Sequence, residues 1–376
     1  MSEACICAAQ ATTGLGPDLE SLWRGVMAGE SAIRPLTRFA TGRYQSGNAS
    51  WIEGLETVNG HSSIYPLLEQ LFEGFGPVPP DANLITASTK GAVDVMERLQ
   101  GRPDLDPAEV PMEHLLRRIS GRFGLPSTGI NINAACASST IAVARAAALI
   151  AAGRSDAVLV VCMDLVSEFV FSGFSALQAL SPGVCRPFDR NRDGLTLGEG
   201  GAALLLMSRE RANREGRPVL GVVAGWGAAN DATHITAPAR DGCGLIQSVR
   251  QAMERAAITS QQIAAISAHG TATIYNDQME LTAFRALFGE RSIPMHSVKG
   301  SIGHTLGAAG GIEVALGLNC LKAGLLPPTA GMLEPEGAGE GFLSRSVQPI
   351  VGRYLLSTNS GFGGVNAALI LRGEEG

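Results

Sequence analysis

One order of features occurs twice in this chain of 376 residues. A short apolar segment typical of a buried strand is followed by a turn of small residues and then by a helix rich in Ala and Gly. The first such helix is predicted at residues 140–152 and the second at residues 305–321. Because both helices carry small, apolar side chains on all sides, they can pack centrally and close together. The repeat therefore predicts a duplicated α/β unit with two buried central helices.

Ten short apolar runs carry the strand signal, five in each half. They are rich in Val, Ile and Leu with little polar alternation, which is typical of strands buried on both faces of a sheet. The predicted strands are residues 4–9, 84–87, 130–133, 157–163, 202–207, 219–226, 263–268, 295–298, 353–357 and 367–371. A charged segment at 209–217 marks the junction, so we expect two halves, residues 1–215 and 216–376. The Pro-containing stretches 45–81 and 101–111 are predicted to be mainly loop.

Composition excludes several classes of protein. Charged residues make up 17% of the chain, below the roughly 25% of an average soluble domain, which suits an oligomer that buries part of its outside. The net charge of -6 argues against a general nucleic-acid binder. No clean apolar run of 18 or more residues occurs, so no membrane span is predicted. Seven cysteines without zinc-ligand spacing indicate reduced thiols, and the start of the chain lacks a secretory pattern; we therefore expect a cytoplasmic protein without a structural metal.

Cys136 is the first candidate catalytic residue. It lies where a predicted strand meets a predicted buried helix, in Ala134-Ala135-Cys136-Ala137-Ser138-Ser139, among side chains too small to screen it. The partial positive charge and unpaired N–H groups of a helix N-terminus favour a thiolate, the nucleophilic form of cysteine. A small buried hydrophobe is the alternative interpretation. The other six cysteines lie in apolar runs or loops without such a turn and are interpreted as structural.

Two histidines occupy positions that favour catalysis. His269 ends a predicted strand, and active-site groups in α/β folds gather at the carboxyl ends of strands. His304 holds nearly the place in the second half that Cys136 holds in the first. If a pseudo-twofold axis relates the halves, the two helix N-termini face each other and bring Cys136 and His304 to one site. The remaining histidines are interpreted as structural: His61, His114, His234 and His296.

Two further motifs lie near these residues. Lys299 shares the turn of His304, and a buried lysine would need an acidic partner, whereas an exposed lysine would not. The candidate partners are Asp277, Glu280 and Glu313. Gly361-Phe362-Gly363-Gly364 separates two predicted strands, and three glycines around one aromatic indicate a backbone that approaches a ligand, beside a movable ring. A strand bulge would have the same composition.

Together these motifs resemble those of the β-ketoacyl-acyl carrier protein synthases, condensing enzymes with a thiolase fold. The resemblance covers the chain from about residue 121 to the end and includes Cys185-Arg186-Pro187-Phe188-Asp189, Arg192-Asp193-Gly194 and Gly198-Glu199-Gly200. The Cys-His-His set looks like the elongating branch, since other branches pair Cys and His with Asn. The resemblance implies duplicated α/β halves in five layers, α-β-α-β-α.

The resemblance also implies a reaction, the decarboxylative Claisen condensation of an enzyme-bound acyl thioester with a malonyl thioester. Cys136 would carry the acyl chain, while His269 and His304 would donate hydrogen bonds to the malonyl thioester oxygen. The backbone N–H groups of Cys136 and Phe362 would form the oxyanion hole. Lys299, together with Glu313, would orient the histidines, and Asp277 and Glu280 are further candidates for that role. Phe362 would act as a gate with Gly361 and Gly363. Thr271 and Thr273 would bind the pantetheine arm.

The implied partner is an acyl carrier protein, which holds the substrates on its phosphopantetheine, and no metal or redox cofactor is required. A homodimer formed along the first half's sheet edge is the first expectation, with a heterodimer with a related synthase subunit as the alternative. Because this chain and such carrier proteins are both acidic, docking should need a local basic patch. We expect that patch among Arg117, Arg118, Arg190 and Arg192, with Arg192 ranked first.

Two other functions stay open at this point. A non-catalytic or chain-length-determining partner subunit would not need the Cys-His-His set, which is intact here. A biosynthetic thiolase would use a second cysteine near the C-terminus, but the last one, Cys320, lies within a predicted helix.

The stretch before Cys136 is shorter than is usual in the family. Ser360 and the pair Asn276-Asp277 look more like polyketide-type enzymes, so we expect a synthase of fatty-acid or, rather, polyene-like polyketide biosynthesis.

Overall fold

The computed structural model describes residues 2–55, 60–99 and 105–374. Its strands, in chain order, are β1 (Ala4–Thr13), β2 (Ile33–Pro35), β3 (Asn48–Ser50), β4 (Asn83–Ala87), β5 (Ile130–Ile132), β6 (Ala157–Asp164), β7 (Gly200–Ser208), β8 (Gly221–Asn230), β9 (Ile263–Ser267), β10 (Met295–His296), β11 (Leu325–Leu326), β12 (Gln348–Pro349), β13 (Tyr354–Gly361) and β14 (Val365–Arg372). Its α-helices are α1 (Leu19–Met27), α2 (Ile64–Phe72), α3 (Val93–Arg98), α4 (Met112–Phe123), α5 (Ser138–Ala151), α6 (Glu168–Ala176), α7 (Arg209–Arg214), α8 (Cys243–Arg255), α9 (Ile274–Phe288), α10 (Lys299–Ile302) and α11 (Ala309–Ala323).

Ten strands form one mixed sheet in the order β10-β9-β13-β14-β8-β1-β7-β6-β4-β5. From the middle outward, the first half runs β1-β7-β6-β4-β5 and the second half runs β8-β14-β13-β9-β10. In each half the two inner pairings are antiparallel and the two outer pairings are parallel. The halves therefore share strand order and strand direction, which confirms the predicted duplication.

The two central helices lie between the half-sheets. Helix α5 contacts β4 and β6 of the first half as well as β8 and β14 of the second, and α11 contacts β7 and β13. Helix α2 covers the outer face at β7 and α8 covers it at β8, so helices and half-sheets alternate in five layers as expected. Where α11 meets α5, a Cβ at Gly310 would lie 2.1 Å from Thr140 Oγ1. Only glycine allows this approach, which explains the small residues of the central layer.

All ten predicted strands are present, and the differences lie in the turns and loops. Helix α5 begins at Ser138, two residues before the prediction, and α11 begins at Ala309 because residues 306–308 form a 3₁₀ turn. The stretch 45–81, predicted as mainly loop, contains β3 and α2, while part of 101–111 lies outside the described residues. The domain boundary at 215/216 stays a prediction. No helix of the described ranges is long and apolar enough to cross a membrane.

Candidate active site

The turn between β5 and α5 presents Cys136 to a cavity. Ala135 adopts a φ of 50°, in the left-handed region, which bends the chain sharply just before the cysteine. Ser138 secures the bend, since its Oγ accepts a hydrogen bond from the Ala134 N–H at 2.9 Å and donates to the Ala135 carbonyl at 2.5 Å. The cysteine is buried and lines a cavity of about 430 Å³. The strained turn thus holds the thiol at the inner wall of that cavity.

The structure brings both predicted histidines to Cys136. His304 Nε2 lies 2.9 Å from Cys136 Sγ. The ring of His269 stands edge-on to that of His304, with ring centroids 5.3 Å apart and an angle of 87°. The sulfur and one nitrogen of each ring lie within 4.8 Å of one another, a spacing that a metal ion could also use. The two halves of the fold therefore meet at one buried cluster, as their pseudo-symmetry predicted.

Lys299 is buried, and Glu313 is its partner. Lys299 Nζ lies 2.6 Å from Glu313 Oε1, while Asn359 Nδ2 donates to Glu313 Oε2 at 2.5 Å. The other amide atom, Asn359 Oδ1, lies 2.9 Å from His269 Nδ1. A continuous polar chain thus runs from Lys299 to His269. Sequence reasoning missed Asn359, although its place just before the Gly-Phe-Gly-Gly turn was a signal that could have found it.

The Asn359 amide determines which ring nitrogen of His269 carries the hydrogen. Because Asn359 Nδ2 must donate to the Glu313 carboxylate, the amide oxygen faces the ring, and His269 Nδ1 must carry a hydrogen to pair with it. Neutral His269 then keeps a lone pair on Nε2. His304 Nδ1, in contrast, has no partner among the described residues, so nothing there fixes its tautomer. Burial, together with the Lys299 charge, holds the pKa of both histidines well below the usual range, which keeps both rings neutral.

Asp277 and Glu280 have a different role from the one predicted for partners of Lys299. Glu280 accepts a hydrogen bond from the backbone N–H of His269 at 2.8 Å. Asp277 accepts one from the backbone N–H of Thr271 at 3.0 Å. Burial raises the pKa of Asp277 to about 6 and that of Glu280 to about 7. Neither side chain is the partner of Lys299, but both hold the loop that carries His269, which fits the orienting role that the resemblance implied.

In Gly361-Phe362-Gly363-Gly364, Gly361 ends β13 and the next three residues form the hairpin turn to β14; Gly361 lies against the nucleophile turn at Ala134 and Cys136. The backbone N–H groups of Phe362 and Cys136 both act on the sulfur and lower the pKa of the thiol. Burial outweighs these donors and the Lys299 charge, so the pKa of Cys136 is raised to about 11. The pKa of the thiol is therefore shifted upward, opposite to the downward shift expected from the helix N-terminus, and His304 Nε2 is placed to accept the thiol proton.

The wall of the cavity contains further predicted residues. Thr271 and Thr273 both line it, with their hydroxyl oxygens 2.9 Å apart. Phe174 of α6, which sequence reasoning missed, stacks on Phe362 with ring centroids 5.7 Å apart and an angle of 27°. His234, interpreted from sequence as structural, also lines the cavity. Two aromatic rings thus lie together at the wall that the hairpin turn forms.

The predicted docking arginines do not form part of the cavity wall. The Arg192 side chain is only 4% exposed, pairs with Glu336 at 2.7 Å and donates to the carbonyl oxygens of Asp189 and Ile274. Its assignment as an exposed docking residue is wrong, because it ties the loop at 189–193 to the start of α9. None of the four candidates lines the cavity: Arg117, Arg118, Arg190 and Arg192.

Comparison with known proteins gives the same picture over most of the chain. Residues 114–212 match the model of the β-ketoacyl synthase N-terminal domain, and residues 220–332 match that of the C-terminal domain. A 3-oxoacyl-[acyl-carrier-protein] synthase 2 of Vibrio cholerae serotype O1 (strain ATCC 39315 / El Tor Inaba N16961) is 29% identical over 95% of this chain and 96% of its own length. A Streptomyces halstedii protein provisionally named polyketide beta-ketoacyl synthase 1 is 32% identical over 74% of this chain and 68% of its own length.

Comparison with solved structures gives the same result for the fold. A chain of the ishigamide ketosynthase/chain length factor superposes with a TM-score of 0.91 at 26% identity, covering all of both chains. A chain of the ketosynthase ApeO in complex with its chain length factor ApeC from Xenorhabdus doucetiae gives 0.84 at 26% identity, covering 99% of this chain and 98% of that one. The shared fold is the thiolase fold of these ketosynthases. Because the two domain models and the relatives span both halves that build the Cys-His-His cluster, the chain belongs to the β-ketoacyl synthase family.

Proposed function

We propose that the protein is an elongating β-ketoacyl-acyl carrier protein synthase, an acyltransferase that condenses an acyl chain held on Cys136 with a malonyl thioester. The observation that carries the proposal is the 2.9 Å contact between Cys136 Sγ and His304 Nε2, with His269 beside it, at the wall of a cavity. A thiol with a base within hydrogen-bond reach is the central arrangement of nucleophilic acyl transfer.

The first step is acylation of Cys136. His304 Nε2 takes the thiol proton, and the sulfur attacks the carbonyl carbon of the acyl thioester on a carrier protein. The negative oxygen of the tetrahedral intermediate is held by the N–H groups of Cys136 and Phe362, both of which already act on the sulfur. The bond to the carrier's sulfur then breaks, and that sulfur leaves with the proton from His304.

The second step releases carbon dioxide from the malonyl group and forms the new bond. The carbon–carboxylate bond breaks, its electron pair forms an enolate, and the enolate carbon attacks the acyl carbonyl, so that Cys136 leaves. His304 is free to place its hydrogen on Nε2 and donate it to the enolate oxygen. Neutral His269 carries its hydrogen on Nδ1, so it presents a lone pair at Nε2 and does not donate from that atom. Losing one such donor typically costs about 10²–10³ in rate.

The substrates are carried by an acyl carrier protein, and Thr271 and Thr273 are placed to bind the pantetheine arm that enters the cavity. The scheme uses no metal ion or redox cofactor. The relatives named as a 3-oxoacyl-[acyl-carrier-protein] synthase 2 and a polyketide beta-ketoacyl synthase support chain elongation on a carrier protein in either pathway, and a polyene-like product stays a proposal from the sequence. We place the enzyme in the cytoplasm, since all seven cysteines are free.

The likeness to chains of ketosynthase–chain length factor assemblies raises a second candidate, a subunit that sets chain length without catalysis. The intact Cys-His-His cluster favours the catalytic role. A dimer is expected in either case, with identical subunits as the first expectation and a related synthase subunit as the alternative.

Intact-protein mass spectrometry after incubation with acyl-carrier protein tests the proposal. The wild-type chain should gain one acyl mass, and Cys136→Ala should gain none. Cys243→Ala removes the exposed cysteine and should behave as wild type. Addition of malonyl-carrier protein should then yield a product extended by two carbons. Failure of the wild type to take up the acyl group, or acylation of Cys136→Ala, would overturn the assignment of the nucleophile.

A further inference from the structure

The Cys-His-His cluster has the composition of a metal site. Cys136 Sγ and one ring nitrogen each of His269 and His304 lie within 4.8 Å of one another, and all three side chains are buried. Among the residues that the structure describes, no other group of three His, Cys, Asp or Glu side chains is close enough to hold a metal ion. Thiolate and imidazole are ligands that Zn²⁺ prefers, whereas Mg²⁺ and Ca²⁺ prefer oxygen ligands. The cluster therefore favours zinc over the hard cations.

The separations of the ligand atoms suit a tetrahedral ion. Zinc bonds of about 2.0 Å to nitrogen and about 2.3 Å to sulfur place neighbouring ligand atoms about 3.5 Å apart. His304 Nε2 lies 2.9 Å from Cys136 Sγ, and no pair in the cluster is farther apart than 4.8 Å. Small side-chain rotations therefore reach the separation that zinc requires. All three side chains line the cavity, which leaves room for a water molecule as the fourth ligand.

Both histidines can present the lone pair that coordination needs. His269 Nδ1 lies 2.9 Å from Asn359 Oδ1, so its hydrogen is on that side and Nε2 keeps a lone pair. A metal-ligating histidine usually donates its other N–H to an oxygen in this way, which fixes the ring. His304 Nδ1 has no such partner among the described residues, so that ring is free to adopt the tautomer with a lone pair on Nε2, the atom that faces the thiol.

The charges around the cluster permit a cation. Lys299 is buried beside it, but its ammonium is paired with the Glu313 carboxylate at 2.6 Å, so its charge is balanced. Asp164 adds a carboxylate, whose charge raises the pKa of the Cys136 thiol. A thiolate bound to Zn²⁺ also cancels one of the two charges of the ion. A divalent cation in the cluster therefore meets a balanced lysine and not an unpaired one.

We infer that Cys136, His269 and His304 form an inhibitory zinc site, with Cys136 Sγ, the Nε2 atom of each histidine and a water molecule as the four ligands. The thiol proton passes to solvent as the zinc–sulfur bond forms, and no electron is transferred. A sulfur bound to zinc cannot attack an acyl thioester, so loading of the enzyme stops until the metal is removed. The inhibition rests on the proposed function, because it requires Cys136 to be the nucleophile, whereas the binding of zinc does not.

Protection of individual cysteines by zinc tests the site in the wild-type protein. The reduced protein is treated with iodoacetamide, with and without a slight excess of Zn²⁺, and alkylation of each cysteine peptide is followed by mass spectrometry. Zinc should suppress alkylation of Cys136. The exposed Cys243 should react at the same rate in both samples and serves as the internal control. Mg²⁺ in place of Zn²⁺ should protect neither cysteine, because it prefers oxygen ligands.

Co²⁺ reports on the ligands directly, because a bond between thiolate and cobalt gives a charge-transfer absorption in the near ultraviolet. The wild type should show that band, and Zn²⁺ should abolish it by displacing the cobalt. Cys136→Ser should lose the band, and His304→Ala should bind Co²⁺ more weakly. His234→Ala is the matched control, since His234 lines the same cavity outside the cluster, and it should bind Co²⁺ as the wild type does.

Several results would overturn the inference. Equal alkylation of Cys136 with and without zinc would do so, as would an unchanged cobalt band in Cys136→Ser. Protection of Cys243 in place of Cys136 would show an adventitious ion only. Acylation of the wild type by acyl-carrier protein should stop with zinc and return with EDTA, and acylation at full rate with zinc bound would refute the inhibitory role. If zinc protects Cys136 but the metal-free protein is not acylated, the zinc site stands and the proposed function fails.

Discussion

The carboxylate of Asp164, at the end of β6, accepts a hydrogen bond from the backbone N–H of Gly307, with 2.7 Å between Gly307 N and Asp164 Oδ2. The same carboxylate accepts hydrogen bonds from the Ser88 hydroxyl and from Thr89. Gly307 follows His304 by three residues, so this contact ties the turn of His304 to strands of the first half. A Cβ at Gly307 would lie 2.8 Å from the carboxylate, and the contact therefore needs glycine.

Asp164→Asn should make Cys136 easier to ionise. The negative charge of Asp164 raises the pKa of the Cys136 thiol, which burial already brings to about 11 in the wild type. Removing the charge lowers that pKa, and below it the thiolate fraction grows about tenfold for each unit by which the pKa falls. Alkylation by iodoacetamide, followed on the Cys136 peptide by mass spectrometry, should therefore be faster at pH 8. The lost acceptor should also reduce the free energy of unfolding by about 1–3 kcal/mol.

Ser88→Ala is the matched control, since it removes one hydrogen bond to Asp164 and leaves the charge. It should cost some stability without changing the pH dependence of alkylation. If Asp164→Asn alkylates at the wild-type rate across the pH range, Asp164 does not influence the thiol.

Lys299→Met should shift the pKa of Cys136 in the opposite direction from Asp164→Asn. The Lys299 charge lowers the pKa of Cys136, so its removal raises that pKa above the wild-type value of about 11 and slows alkylation at every lower pH. Because Lys299→Met leaves Glu313 buried without its cation, the double variant Lys299→Met/Glu313→Gln is measured beside it. Faster alkylation in the double variant would contradict this reading of the Lys299 charge.

Sequence reasoning located the parts of this molecule that depend on local pattern. The ten strands follow from apolar runs, and Cys136 and His304 follow from their equivalent places in a repeated order of elements. The same strand order and direction in both halves confirm the duplication that the repeated order of elements predicted.

Features that depend on the meeting of distant segments were not predictable. The residues alone left three acidic candidates for Lys299; the family resemblance singled out Glu313, and the folded chain confirms that Glu313 on α11 reaches it. The pKa of Cys136 was misjudged because the helix N-terminus is a local feature, whereas burial depends on everything packed around the turn. Arg192 looked like a surface charge because its partner, Glu336, is 144 residues away.

Gly361→Ala should disrupt the oxyanion hole. An added Cβ would lie 2.9 Å from the Ala134 carbonyl oxygen and 3.1 Å from the Cys136 nitrogen, so it must push the hairpin turn away from the nucleophile. Since the donors of Cys136 and Phe362 would separate, acylation should slow by about 10²–10³. Gly363→Ala is the comparison, because its Cβ would meet nothing within 4 Å and costs only the strain of a φ of +88°. Equal rates of acylation in the two variants, measured by rapid-quench mass spectrometry, would argue against a role for the close approach at Gly361.

Arg192→Glu should damage the site itself and not the docking of a carrier. The guanidinium is buried, pairs with Glu336 and lies 3.9 Å from Asp277, the carboxylate that holds the loop after His269. A glutamate there would face two carboxylates without a cation, and breaking a buried pair typically costs about 3–5 kcal/mol of unfolding free energy. Urea unfolding should show that loss, and kcat/KM should fall equally with carrier-bound substrate and with a short pantetheine thioester. Arg190→Glu is the control, since that exposed pair should contribute no more than about 1 kcal/mol. A selective loss with the carrier-bound substrate at unchanged stability would instead restore Arg192 as a docking residue.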